Sequence, residues 1–334
     1  MTHPPLNGLR RTALAVALAS ALGAQAQTAP SQASVDAHVA AAKAAAGSDL
    51  GNLMGLCNAV PATRASGEAI TKVVAQQLAR PAPPPGKAFD NLAYVGGAWA
   101  SAWALDTKDG ILLIDALNND AEAAQLIDGG LKQLGMDPAR IKTVIVTHAH
   151  GDHYGGAKHL TTQYKPRWVM SEIDWRQTEG QLEFATPLWG APPKRDVAVN
   201  DGDTVKLGDD IVTTLLTPGH TLGTITPIFE VRHKGQRHRA MVWGGTAFNF
   251  GRDMPRLDAY IEATQRLAQV ARAQQIDVML SNHPGYDGTV KKLELLRGGS
   301  ADNPFVIGTP AVLRALTVMG ECAMAQRDRF LMAP

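Results

Sequence analysis

The chain is 334 residues long, enough for one large domain or two small ones with a sizeable buried core. Its 32 basic and 31 acidic residues leave a formal charge of +1. That near-balance gives no bias toward nucleic acid or acidic surfaces.

Arg10 and Arg11 precede an apolar run, Thr12 to Ala24, which ends in Ala24-Gln25-Ala26. A basic start, a short apolar run and a small-residue cleavage site predict a secretory signal peptide over residues 1–26, too short for a stable membrane anchor. The arginine pair raises the twin-arginine route, although the rest of that motif is poor. The mature chain is therefore expected outside the cytoplasm, most simply in a bacterial periplasm.

Residues 27–86 read as a helical N-terminal extension. Residues 34–60 are rich in Ala and Leu, with Ser34 and Ser48 as capping candidates, and 67–78 form a second helical stretch. The run Pro81-Ala82-Pro83-Pro84-Pro85-Gly86 is a stiff linker that separates this extension from a main domain over 87–334. Cys57 and Cys322 lie near opposite ends of the mature chain. In an oxidising compartment they either close a long loop or stay buried as free thiols.

In the main domain, 94–97 and 98–105 predict paired strands, Lys108-Asp109-Gly110 a turn and 111–115 a buried strand. Helical periodicity over 121–134 leads to a second buried strand, 141–146. A helix over 156–164 and a short strand at 168–170 follow. Strand signals resume at 204–207, 211–216, 224–231 and 241–243, and the basic run Arg232 to Arg239 reads as a solvated hairpin tip around Gly235. Pro227 removes a ladder donor and predicts an edge strand or a bulge. An amphipathic helix over 257–275, a strand at 278–280 and a C-terminal helix over 310–329 complete the chain. Strands that come both in hairpins and in alternation with helices favour an α+β sandwich of sheets covered by helices over a doubly wound sheet.

The densest chemical signal is Thr147-His148-Ala149-His150-Gly151-Asp152-His153, directly after the apolar Val144-Ile145-Val146. His148 and His150 alternate in the strand sense, so both can face one side of the loop that follows. Asp152 and His153 turn past Gly151 toward a second point. Imidazole and carboxylate suit zinc. His220 follows Thr217-Pro218-Gly219, and His283 follows Leu280-Ser281-Asn282, each just beyond an apolar strand. Five histidines and one aspartate at strand ends are enough for two zinc ions with three protein ligands each, leaving positions for water. No cysteine lies near the cluster, so a thiolate ligand is not expected.

This pattern resembles the metallo-β-lactamase superfamily, whose signature is H-x-H-x-D-H followed by separate downstream histidines. The likeness spans residues 91–287. It implies a four-layer αβ/βα sandwich, with the site on the sheet edge between the halves. It also implies that His148, His150 and His220 bind one zinc and Asp152, His153 and His283 the other. Glyoxalase-II-like, lactonase and phosphodiesterase members carry a bridging Asp between the last two histidines, and the first lactamase subclass a Cys. Here the segment Trp243-Gly244-Gly245-Thr246-Ala247-Phe248 offers Gly245 or Thr246, neither of them a good zinc ligand. The pattern is therefore most like the third lactamase subclass.

The function this resemblance implies is an exported dizinc hydrolase acting on a small molecule. Metal-activated hydroxide attacks a strained amide carbonyl of a β-lactam, and Asp152 orients it as the catalytic carboxylate. Hydrolysis of a lactone, ester or other cyclic amide is the alternative among enzymes, and a non-catalytic secreted binding protein the alternative outside them. Tyr154, Thr221, Thr246 and Asn282 are the candidates for substrate contact, with Trp189 beside the groove in the flanking loop 178–195. Asn249 stands where the first subclass places a carboxylate-binding Lys, and His159 reads as structural. Neither the native metal nor the oligomeric state follows from the sequence.

Overall fold

The structure, a computed structural model, describes Met1 and residues 29–333; beyond Met1, the expected signal peptide lies outside the described residues. One sheet holds β1 (Gly86–Phe89), β2 (Leu92–Tyr94), β3 (Trp103–Thr107), β4 (Gly110–Ile114), β5 (Ile141–Ile145), β6 (Arg167–Ser171) and β7 (Val197–Val199), in that spatial order. Pairing is antiparallel from β1 to β4 and parallel from β4 to β7. The other sheet holds β8 (Thr204–Leu207), β9 (Asp210–Leu216), β10 (Ile225–His233), β11 (Gln236–Trp243) and β12 (Val278–Ser281), again in order. Only its β11–β12 pair is parallel.

The helices are α1 (Gln32–Ala46), α2 (Gly67–Leu78), α3 (Asp120–Glu122, Ala123–Asp128 and Gly129–Gln133, with a π-helical middle), α4 (Gly151–Tyr154), α5 (Ala157–Tyr164) and α6 (Glu172–Glu179). Then come α7 (Met254–Gln274), α8 (Pro284–Asp287), α9 (Thr289–Arg297) and α10 (Thr309–Met332).

Strand alternation sorts the apolar side chains into three cores and so fixes the layers. On β4, Leu112 and Ile114 join Ile145 and Val169 against Ile225, Phe229, Val231 and Val242 of the second sheet, which fills the space between the sheets. Ile111 and Leu113 of the same strand point the other way, onto Ile127 and Leu131 of α3 and Leu160 of α5. Ile228, Met241 and Trp243 line the outer face of the second sheet and meet Tyr260 and Leu267 of α7 and Leu316 and Met319 of α10. The result is helix, sheet, sheet, helix, as the resemblance implied.

The N-terminal segment is built into this outer layer. Ala42 and Ala46 of α1, with Leu53 and Leu56 from a 3-10 turn at Gly51–Cys57, share the core of α7 and α10, and Cys57 is disulfide-bonded to Cys322 of α10. The cap of α1 is Ser31, one turn before the expected Ser34. Ser34 is instead the N3 partner in a capping box with Ser31.

Two strand expectations need correction. The first hairpin pairs Leu92–Tyr94 with Trp103–Thr107, and residues 95–102 form a loop. A Cβ at Gly96 would stand 2.6 Å from Ala102 N, so the loop closes only around a glycine. Pro227 lies in the central strand β10, not at an edge. It is accommodated because Ile225 N donates to Thr147 O and the ladder with β11 starts only at Ile228, leaving no donor needed on that side at 227. The short strands β1 and β7 and the helices α6 and α9 had no clear signal in the sequence.

Candidate metal centre

Six donor residues converge at one edge of the sandwich because each follows the end of a strand: β5 for His148 to His153, β9 for His220 and β12 for His283. They fall into two groups, His148, His150 and His220, and Asp152, His153 and His283. Within each, the ligand atoms lie within 4.8 Å of one another.

In the first group His150 Nδ1 is 3.0 Å from His148 Nε2 and 3.1 Å from His220 Nε2. The remaining ring nitrogens are all occupied. His148 Nδ1 donates to Gly244 O at 2.7 Å, His220 Nδ1 to Ala247 O at 2.7 Å, and His150 Nε2 faces Glu183 Oε2 at 3.4 Å. These partners fix the tautomers, so the three lone pairs point at a common centre. Burial pushes the pKa of His148 and His220 well below the usual imidazole value. Both rings are neutral at neutral pH, as a metal ligand must be.

In the second group Asp152 Oδ2 is 3.3 Å from His153 Nε2 and 3.7 Å from His283 Nε2. His153 Nδ1 donates to Asp115 Oδ2 at 2.8 Å, and His283 Nδ1 to the carbonyl of Trp99 at 2.7 Å. His153 Nε2 is buried without a hydrogen-bond partner. Burial disfavours a charged His153, yet Asp152 and Asp115 outweigh it and raise its pKa to about 10. The His153 ring is held between two buried carboxylates, Asp115 at Nδ1 and Asp152 at Nε2, and their negative charge favours a cation at the Nε2 side. A divalent metal ion meets that need, and both donor sets, three imidazoles or two with a carboxylate, fit zinc.

Asp115 is a second neighbour of the centre with no motif to announce it. It adopts φ 66° at the end of β4, accepts from Thr147 N and Oγ1 at 2.7 and 2.9 Å, and so clamps the start of the histidine loop to His153. Its one sequence signal is a carboxylate at a strand end, like the ligands themselves. Asp174 of α6 supports the loop from below, accepting from Ala149 N and Thr221 Oγ1 at 2.9 Å and from Gly223 N at 3.1 Å. Burial raises the pKa of Asp174 to about 6. Glu183 ties His150 to Arg256 and Arg64, and Arg256 in turn donates to Gly219 O at 2.8 Å beside His220.

No bridging side chain can stand where the family's Asp or Cys would. A Cβ on Gly244 would sit 1.9 Å from Ile225 O, and one on Gly245 2.6 Å from His220 Cβ. Thr246 is buried, with its hydroxyl 3.5 Å from Ser281 Oγ and its carbonyl accepting from Tyr260.

The expected substrate contacts are largely displaced. Tyr154 is 1% exposed and packed in the core under the first sheet. Thr221 is taken up by Asp174 and Thr224. Asn282 is fully buried, donating to Gly244 O at 2.7 Å and Thr147 Oγ1 at 3.1 Å. Thr221 and Asn282 brace the ligand loops through these bonds, and Thr246 lines a neighbouring cavity together with Asn52 and Tyr286. His159, paired with Asp128 at 2.7 Å, is remote from the centre, as the structural reading expected.

A cavity of about 370 Å³ opens over His150, Asp152, His220 and His283. Trp189 lines it, on the groove where the sequence put it, together with Phe184 of the same 178–195 loop and with Asn249. Trp189 lies directly on Gly151, where a Cβ would come within 2.5 Å of the indole, and its Nε1 donates to Asn118 Oδ1 at 2.8 Å. The far wall was not foreseen. It is Asn52, Ile70, Gln77 and Arg80, all from the N-terminal segment.

Residues 99–232 match the family model described as the metallo-beta-lactamase superfamily. Among solved structures, the chain is similar to the native metallo-beta-lactamase FEZ-1 from Legionella gormanii, at 23% identity and TM-score 0.66, covering 76% of this chain and 99% of that one. It is also similar to BJP-1, a subclass B3 metallo-beta-lactamase of Bradyrhizobium japonicum, at 27% identity and TM-score 0.61, over 72% and 92%. A hydroxyacylglutathione hydrolase of Rhodopseudomonas palustris is 28% identical over 178 residues, 53% of this chain and 61% of that relative, so the match spans less than two thirds of its length. Residues 99–232 are thus a metallo-β-lactamase superfamily domain, set in the two-sheet fold that these solved structures share.

Proposed function

We propose that this chain is an exported dizinc hydrolase that opens a β-lactam amide. The observation that carries the reading is the donor set: two three-residue groups with every second ring nitrogen occupied, and no space for a bridging side chain at Gly244 or Gly245. His148, His150 and His220 hold one zinc, and Asp152, His153 and His283 the other. Bound zinc supplies Lewis acidity toward a carbonyl and acidifies water near neutral pH. Asp152 borders both the cavity and the second group, so its carboxylate accepts a hydrogen bond from the attacking water and aims it. Trp189 and Phe184 cover the apolar part of the substrate and exclude bulk water. Subclass B3 structures among the similar folds support this choice, and the Cys57–Cys322 disulfide fits an oxidising compartment.

Thioester cleavage is the second reading, because the matched curated relatives include hydroxyacylglutathione hydrolases. A metal held by these residues would supply the same Lewis acidity toward either carbonyl, so the metal groups alone do not separate them. A panel of a penicillin, a cephalosporin, a carbapenem, a lactone and a glutathione thioester, each with and without chelator, decides. The expected result is β-lactam turnover that chelation removes and zinc restores. Metal-dependent thioester or lactone cleavage with no β-lactam turnover would reverse the order.

A further inference from the structure

We propose that Arg80, brought over the metal cavity by the N-terminal segment, is the anion anchor that selects carboxylate-bearing substrates. The inference deepens the hydrolase reading and rests on it for the metal. Among the described residues, the cavity wall facing His150, Asp152 and His283 carries one permanently cationic side chain, and it is Arg80. Asn249, on the same cavity, is neutral.

The state of Arg80 suits the task. Its Nη1 donates to Gln77 Oε1 at 3.0 Å, a neutral partner one turn back that also lines the cavity. No carboxylate among the described residues pairs with it, whereas Arg64, Arg256 and Arg195 are all committed to glutamates. An arginine just past a helix end often serves only to cap the last carbonyls. Arg80 instead bonds a side-chain oxygen, and because the residue is exposed its other four donors face solvent and are open to a ligand. A guanidinium fork matches a carboxylate in two parallel bonds, which a lysine cannot reproduce.

Its placement is defined at both ends. The chain leaves the disulfide at Cys57, forms α2 across the cavity and re-enters the sheet at Gly86. The proline-rich run between Arg80 and Gly86 (Pro81, Ala82, Pro83, Pro84, Pro85) keeps that return stiff. The anchor is thus supplied from outside the stretch that matches the superfamily, which starts at residue 99.

The test compares acid and ester. Zinc-loaded protein is titrated calorimetrically with 2-mercapto-3-phenylpropionic acid and with its methyl ester, for wild type, Arg80→Ala and Arg80→Lys. The wild type is expected to bind the acid about tenfold or more tightly than the ester. Arg80→Ala abolishes that preference, Arg80→Lys keeps part of it, and ester binding and zinc content stay unchanged in both. Equal acid preference in wild type and Arg80→Ala, or no acid preference in wild type, overturns the proposal. Because the readout is binding, it stands or falls apart from whether β-lactams are turned over.

Discussion

The metal centre has a floor and a roof of different physical kinds. The floor is made at strand ends: His148, His153 and Asn282 are fully buried, each ring is held through its second nitrogen, and glycines at 244 and 245 let backbone approach the imidazoles. The roof is made by α2, which buries only Val74, and by the strandless 178–195 loop that brings Phe184 and Trp189. A packed, hydrogen-bonded floor holds ligand geometry to the tolerance a metal requires, while a loosely packed roof can vary in sequence without disturbing it. The superfamily match at 99–232 holds most of the floor and none of α2. On the proposed reading, reaction class belongs to the floor and substrate choice to the roof.

The largest effect is expected at the floor. Asp152→Ala removes both a donor of the second group and the carboxylate that aims the water. Turnover should fall about 10³-fold or more, with zinc content dropping by one ion per chain. Near-normal turnover with a single zinc would show that the second group is dispensable. A smaller loss tests the support beneath it. Asp115→Asn keeps the shape but weakens the partner of His153 Nδ1 and the clamp on Thr147. Zinc affinity of the second group should weaken about 10–100-fold, with the first group unaffected, by chelator competition. Equal weakening of both would mean that the floor acts as one unit.

The ligands of the floor and the 178–195 loop of the roof were legible in the sequence, whereas the floor's supporting carboxylates and the α2 side of the roof were not, for one physical reason. Each ligand announces itself by position after an apolar strand, as His220 does beyond β9 and His283 beyond β12, and that pattern is local. The partners that make those ligands work are not local: Asp115 is 38 residues from His153, and Glu183 is 33 from His150. Tyr154 shows the opposite failure. An aromatic beside the ligands looked substrate-facing, but the turn of α4 directs it into the core with Val144 and Trp175. Cavity residues Ile70, Gln77 and Arg80 sat in or just past a helix read as an extension, and its placement against the site depends on contacts remote in sequence, among them the pairing of Cys57 with Cys322 and of Arg64 with Glu183.

The smallest effect on chemistry should come from cutting that tether. Cys57→Ser opens a covalent loop closed across 265 residues. Cross-links of long loops act mainly on the unfolded chain, so the loss should be about 2–4 kcal/mol, measured from denaturant midpoints at unchanged zinc. The folded outer layer should persist, because Ala42, Leu53 and Leu56 stay buried against α10 by apolar packing that the sulfur bond does not create. None of the six donor residues touches the disulfide, so two zinc ions should still bind with wild-type affinity. What loosens is the start of the strap that carries α2, and KM for an anionic substrate should rise severalfold while kcat holds. Reducing the wild type under mild conditions should reproduce the same split without any substitution. If zinc affinity fell in step with stability, floor and roof would be one cooperative unit, and the division of labour between them would be wrong.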